Sequence, residues 1–365
     1  MESLTIIGAG EAGTRAALHL RERSWDGEIV LIGQEPHTPY ERPPLPKSVL
    51  TEGVSPPLLS SAEQLQELQI KFLQGSQVAE IDRQSHRIRL QNDEWFPYDK
   101  LLLATGASAR RLTCTGSEHA LVLRNLDEAL VLRSLLAPGK HLILIGAGFI
   151  GLELAASAQK VGCQVTVLEM APRILGRNVP AEVAEVVASE HKQQGIEIRC
   201  DVQLDQIQAL KSGYTVKLKN GESITGDLVV AGIGAVPEVA LAEAAGLDIE
   251  NGVSVNAFLQ TSDPDIYAVG DVNDEVSEEG TTGTDTIFST VTFTASDNVE
   301  NLILKGSGDI DATGNSLANR LIGNSGDNTL SGGGEADILR GNNGTDNLYG
   351  GDGNDKLNGG SGADN

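Results

Sequence analysis

The last 93 residues contain no proline, cysteine, histidine, methionine or tryptophan, and all thirteen prolines lie before them. That break in composition marks a boundary near Val272, followed by the polar, acidic stretch "NDEVSEEGTTGTD". Basic residues are scarce throughout: 27 Lys and Arg face 51 Asp and Glu, a net charge of −24. Such a balance argues against a nucleic-acid or anionic-membrane partner, since both need a basic surface. No run of eighteen apolar residues occurs, so no membrane span is expected. The N-terminus reaches a strand by Leu4 without a basic flank and apolar core, so no secretory leader is expected. Cysteine is limited to the isolated Cys114, Cys163 and Cys200, which form neither a CxxC redox pair nor a zinc set. Three scattered thiols suit a reducing compartment. The six histidines are scattered, and none is assigned to catalysis.

What is present divides at the same boundary. "LTIIGAGEAG" reads as an apolar strand entering Gly8-x-Gly10-x-x-Gly13 and then a helix. The first glycine permits the tight turn, the second lets a pyrophosphate approach the backbone, and the third lets helix and strand pack closely. The helix N-terminus then offers free N–H groups to the phosphates. A second strand, "EIVLIGQE", delivers Glu35, placed to accept from a ribose hydroxyl. The unit recurs in "HLILIGAGFIGLELAASAQKVGCQVTVLE", with Gly146, Gly148, Gly151 and the acid Glu169. Two complete strand–helix–strand units predict two dinucleotide sites. An acid at the ribose position favours NADH over NADPH, because a 2′-phosphate would meet negative charge.

Further apolar strands end in small residues: "YDKLLLATGA" at Ala104, Thr105 and Gly106, "DLVVAGIGAVP", and "TSDPDIYAVGDV" at Gly270 and Asp271. With "PYERPPLPK" (39–47) and "GAGFIGLELAASA", residues 3–272 resemble the FAD- and NAD-dependent ferredoxin and rubredoxin reductases of the pyridine nucleotide–disulphide oxidoreductase superfamily. Pro46 stands where that family usually has serine. The resemblance implies an FAD-binding domain over 1–112 and 238–272 and an NAD-binding domain over 113–237. It implies that Gly8, Gly10, Gly13, Glu35, Arg42, Ala104, Thr105, Gly106, Gly270 and Asp271 serve FAD, with Asp271 on the ribitol. Gly146, Gly148, Gly151 and Glu169 would serve NADH. Lys47 would lie near the reactive flavin edge, and Glu153 where nicotinamide meets flavin, paired with Lys47. Hydride would pass from NADH to flavin and electrons on to a ferredoxin- or rubredoxin-like acceptor. The resemblance stops at Val272, where the family continues into a domain that covers the flavin.

The tail has 16 acidic residues against 4 basic ones. From position 314 glycine recurs at 323, 332, 341, 350 and 359, a beat of nine. The blocks approach G-G-x-G-x-D-x-U-x, and they resemble the RTX, or haemolysin-type, calcium-binding nonapeptide repeat. That resemblance implies a parallel β-roll over 314–365, two blocks per turn, with 273–313 as linker and lead-in. Carboxylates eighteen residues apart, Asp337 with Asp355 and Asp346 with Asp364, would hold calcium through hard oxygen ligands. Asn319 and Asn328 occupy the same block position earlier and would bind poorly or cap the roll. Leu330, Leu339, Leu348 and Leu357 would stack as its thin core. The fold expected is therefore α/β, with two Rossmann-like domains followed by an all-β parallel roll. The alternative function is a secreted calcium-binding repeat protein with an inactive dinucleotide-binding remnant. The first unit points to the cytoplasm and the second to the extracellular space.

Overall fold

The computed structural model describes residues 2–176, 179–256, 258–270, 286–289, 292–295 and 299–364. Asp271 and the acidic stretch after Val272 lie outside the described residues. The chain divides into two compact units, 1–272 and 273–365.

The first unit holds two parallel sheets built alike. In one, β1 (Ser3–Ile7) is flanked by β2 (Glu28–Ile32), and α1 (Glu11–Glu22) connects the two. With β3 (Ile70–Leu73), β4 (Lys100–Leu103) and β9 (Ile266–Ala268) the order is β9-β4-β1-β2-β3. The other sheet runs β7-β6-β5-β8. Its strands are β5 (His141–Ile145), β6 (Gln164–Leu168), β7 (Glu197–Arg199) and β8 (Leu228–Ala231).

Parallel strands buried on both faces read as continuous apolar runs, which is why "LTII" and "HLILI" show no polar alternation. Side chains alternate between the two faces. Ile6, Ile29, Leu31 and Leu102 therefore meet Ala17 and Leu18 of α1. Ile7, Val30, Ile32 and Leu101 meet Ile81, Ile88 and Leu90 of a three-stranded antiparallel sheet. The second sheet repeats this plan. Leu142, Leu144 and Val167 face Leu152 and Ala155 of α3 (Phe149–Lys160). Ile143 and Ile145 face Ile207, Val216 and Ile224 of another antiparallel sheet. Before α3 comes α2 (Leu126–Leu135), whose Asn125 and Glu128 form a reciprocal capping box.

One segment crosses between the halves. Tyr40, Leu45, Val49 and Leu50 are buried in the core of the second sheet, beside α2 and α3. This segment includes a π-helical turn, Leu45–Val49, in which Lys47 departs from helical geometry (φ −113°, ψ −108°).

The second unit is a roll of two parallel sheets. One contains Thr286–Ser289, Asn301–Leu304, Arg320–Ile322, Ile338–Asn343 and Lys356–Ser361. The other contains Phe293–Thr294, Ala312–Thr313, Thr329–Gly333 and Asn347–Gly351. Leu321 pairs with Leu339 and Leu330 with Leu348, each eighteen residues on. The core is Leu302, Leu304, Ala312, Leu321, Leu330 and Leu339, with Leu348 partly buried. Leu357 departs from the expected stack: it is 49% exposed, on the outermost strand of its sheet, with no further turn to cover it among the described residues.

Candidate functional site

At the first turn, Gly8 has φ +114°, and a Cβ there would collide with the Ala104 carbonyl. A Cβ on Gly13 would strike the Gly8 carbonyl. Gly10, the N-cap of α1, faces open space and has no side-chain cap. The first and third glycines are thus demanded by close backbone approach. The second leaves a hollow in front of free helix N–H groups, which suits a phosphate. Gly106 (φ +67°) and Gly270 (φ +138°) lie against one another at the ends of β4 and β9. The Thr105 hydroxyl donates to the Glu238 carbonyl at 2.8 Å. Leu103, Gly106, Pro237, Val253 and Gly270 line a cleft of about 170 Å³ beside this turn. A larger hollow of about 490 Å³, near Leu65 and Phe72, lies at the sheet's outer edge, and no carboxylate or histidine lines it.

Glu35 is held by the chain itself. One oxygen accepts from Arg42 at 2.9 Å and the other from the Tyr40 hydroxyl. Burial, then the Glu35 carboxylate, pushes the Tyr40 phenol well up, so it stays a donor. Both carboxylate oxygens are thus engaged within the chain.

The second turn repeats the first. Gly146 (φ +105°) abuts the Gly232 carbonyl, Gly151 abuts Gly146, and Gly148, the uncapped N-cap of α3, faces open space. Glu169 accepts from the Ala147 N–H at 2.6 Å and the Ala171 N–H at 2.9 Å, tying the turn to the strand that follows. Phe149, Ile150 and Met170 are exposed near it.

Lys47 and Glu153 come together, with Nζ 3.0 Å from Oε1. The pair joins the crossing segment of the first half to the helix behind the second glycine turn. Half-exposed, it is worth little as a stability contact. The cysteines are free, and burial pushes all three thiols up, away from the reactive thiolate.

The roll holds a second candidate site. No group of three or more His, Cys, Asp or Glu converges among the described residues. Instead, carboxylates meet carbonyls. Asp337 and Asp346 are buried, and each Oδ1 accepts a backbone N–H from the turn before, at 2.7 Å from Asn319 and 2.8 Å from Asn328. Each Oδ2 is buried with no partner. A Cβ on Gly332 would fill the space between Asp337 Oδ2 and the Gly350 carbonyl, and one on Gly341 that between Asp346 Oδ2 and the Gly359 carbonyl. An orphaned carboxylate oxygen opposite a carbonyl is a hard-ligand set that fits calcium. Burial first, and the next carboxylate along, push Asp337 and Asp346 up. The Oδ1 atoms of Asp355 and Asp364 accept the Asp337 and Asp346 N–H groups.

Asn319 and Asn328 answer the same position differently. Their amides donate to the Val299 and Ile310 carbonyls, both at 2.7 Å, and their oxygens accept from Asn315 and Asn324. Neither orphans an oxygen. Glu335 and Asn342, which stand where the repeat has glycine, take left-handed backbone (φ +65° and +80°).

Residues 2–290 match the pyridine nucleotide-disulphide oxidoreductase family. The chain belongs to that family. Residues 313–348 and 331–365 match the RTX calcium-binding nonapeptide repeat. The chain is 39% identical over 274 residues to the ferredoxin–NAD(+) reductase component of a 3-phenylpropionate/cinnamic acid dioxygenase from Photorhabdus laumondii, covering 74% of this chain and 70% of that one. It is 39% identical over 277 residues to a rubredoxin–NAD(+) reductase from Pseudomonas putida, covering 74% and 71%. Among solved structures, a covalent putidaredoxin reductase–putidaredoxin complex superposes with a TM-score of 0.71 at 35% identity, covering 74% of this chain and 67% of that one. Pyridine nucleotide-disulphide oxidoreductases bind FAD and NADH, and RTX repeats bind calcium.

Proposed function

We propose that the first unit is an FAD-dependent NADH oxidoreductase that passes electrons to a small ferredoxin- or rubredoxin-like protein. The observation that carries this is the Lys47–Glu153 pair, which links the segment from the first glycine turn's half to the helix of the second. FAD, when bound, takes hydride from the nicotinamide and releases electrons singly. The chain's part is to hold and orient. The N-terminus of α1 receives one pyrophosphate at Gly10, and that of α3 the other at Gly148. Glu35, steadied by Arg42 and Tyr40, accepts from the adenosine ribose of FAD. Glu169 accepts from the ribose of NADH and repels a 2′-phosphate. Lys47 places a positive charge at the flavin edge, and Glu153 fixes where it points.

The test is anaerobic mixing of the FAD-loaded protein with each reduced nucleotide, following the flavin absorbance. NADH should bleach the flavin at lower concentration than NADPH. Equal response to both nucleotides would remove the role given to Glu169, and no bleaching by either would remove the reductase reading.

The second unit is read as a calcium-stabilised module, on the orphaned oxygens of Asp337 and Asp346. Its cation neutralises those carboxylates and ties each to the following turn.

A further inference from the structure

Serine is a poor choice for the middle of a helix, because its hydroxyl competes for nearby backbone groups. Yet Ser157 sits inside α3, 7% exposed, in the alanine-rich stretch "LAASAQK". Its hydroxyl does not turn back on its own helix. It donates to the Pro46 carbonyl at 2.5 Å, across 111 residues of sequence. That carbonyl belongs to the peptide group whose N–H is Lys47's own, and this N–H donates to the Pro44 carbonyl at 3.0 Å. The peptide before Lys47 is therefore held at both its polar atoms. The carbonyl of Lys47 is held as well, by the Leu50 N–H and, at 3.2 Å, by the Thr51 hydroxyl. Such pinning keeps Lys47 in its non-helical conformation within the π-turn.

Glu153 lies four residues before Ser157, so both stand on one face of α3. Glu153 takes the ammonium of Lys47 and Ser157 takes the peptide from which Lys47 springs. We propose that Ser157 is a positioning residue: α3 grips Lys47 at both ends, and the serine sets the base of the side chain whose tip Glu153 holds. This rests on the reductase reading for its consequence in catalysis, but not for the grip itself. The same helix carries Gly148 and Gly151 at its start, so the grip also ties Lys47 to the second nucleotide turn.

The experiment compares Ser157→Ala, Ser157→Cys, Ser157→Thr and Glu153→Gln in the full chain. Amide hydrogen exchange needs no flavin. Ser157→Ala should lose protection at Lys47 to Leu50 while the rest of α3 keeps it. Cysteine, with a far weaker donor, should behave like alanine, and threonine, which keeps the hydroxyl, should restore protection. In the FAD-loaded protein, flavin reduction at saturating NADH should slow roughly tenfold, within what a small misplacement of a reacting group costs, with NADH affinity unchanged. Ser157→Ala should add little to Glu153→Gln, because both act on one side chain. Unchanged protection at Lys47, or losses that simply add, overturns the proposal, as does a slowing that tracks loss of melting temperature across all variants. If the wild-type protein reduces no flavin, the reductase reading falls and exchange alone decides the role of Ser157.

Discussion

One position of the nonapeptide shows how a single atom sets a requirement. Asn319 and Asn328 bring an NH₂ group that finds a carbonyl, whereas Asp337 and Asp346 bring an oxygen that finds nothing. A buried unsatisfied polar group costs roughly 1–3 kcal/mol, more when charged. The variant Asp337→Asn with Asp346→Asn keeps an oxygen for the N–H groups of Asn319 and Asn328 and turns an NH₂ toward the Gly350 and Gly359 carbonyls. The metal-free roll should then gain β signal in circular dichroism and lose its response to calcium. The parent should respond at roughly 10⁻⁴–10⁻³ M, the range of extracellular modules. Its affinity should fall with falling pH, since a raised carboxyl pKa means that a proton competes with the cation from a higher pH downward. A double variant that still needs calcium to form strands would show that the orphaned oxygens are not the source of the requirement.

Each glycine turn is an element in which three glycines do three separate things. Gly146→Ala puts a Cβ into the Gly232 carbonyl at φ +105°. It should cost at least about 1–2 kcal/mol of stability from the left-handed backbone alone, measurable by denaturant unfolding. Gly148→Ala puts its methyl into open space. It should leave stability nearly unchanged and weaken NADH binding, which titration calorimetry separates; the reverse pattern would mean that the hollow at Gly148 receives no phosphate. These turns were legible in sequence because an apolar run, a glycine triplet and a helix must follow one another over few residues. The roll was legible through its period. Its extent was not: Asn301–Leu304 and Ala312–Thr313 pair as members of the roll, although they precede the first glycine of the beat. Ser157 was equally silent, since a helical serine gives no local sign of a partner 111 positions away. Nor could spacing show that Glu35 and Glu169 are already engaged by Arg42, Tyr40 and backbone N–H groups. Those bonds depend on how the chain returns to them.

At the scale of the whole molecule, the proposed flavin site is built unevenly. Gly8 and Gly13 are closely packed against backbone, while Val255 and Leu259, which line the cleft at Gly106 and Gly270, are exposed, as is Phe258, by 82%. The matched stretch covers 70% and 71% of the two reductases' own lengths. FAD should therefore be held by its pyrophosphate end and leave during gel filtration, and what remains bound should reduce a small dye faster than a ferredoxin. A protein that stays yellow through gel filtration and reduces a ferredoxin faster than the dye would contradict this. No helix among the described residues is long and apolar enough to cross a membrane.

The contrast between Asn and Asp along the roll also gives its assembly a direction. Repeats that touch only their neighbours can nucleate anywhere and spread, but here the stretch around Asn319 and Asn328 closes with its own amides. It should form first, ahead of any cation, and offer the Asn319 and Asn328 N–H groups to the strands beyond it. Growth past Asp337 should then wait for calcium at each step, like a ratchet whose pawl is the ion. Chelation should reverse the sequence, so the turns carrying Asp346 and Asp337 would fray before those built on asparagine.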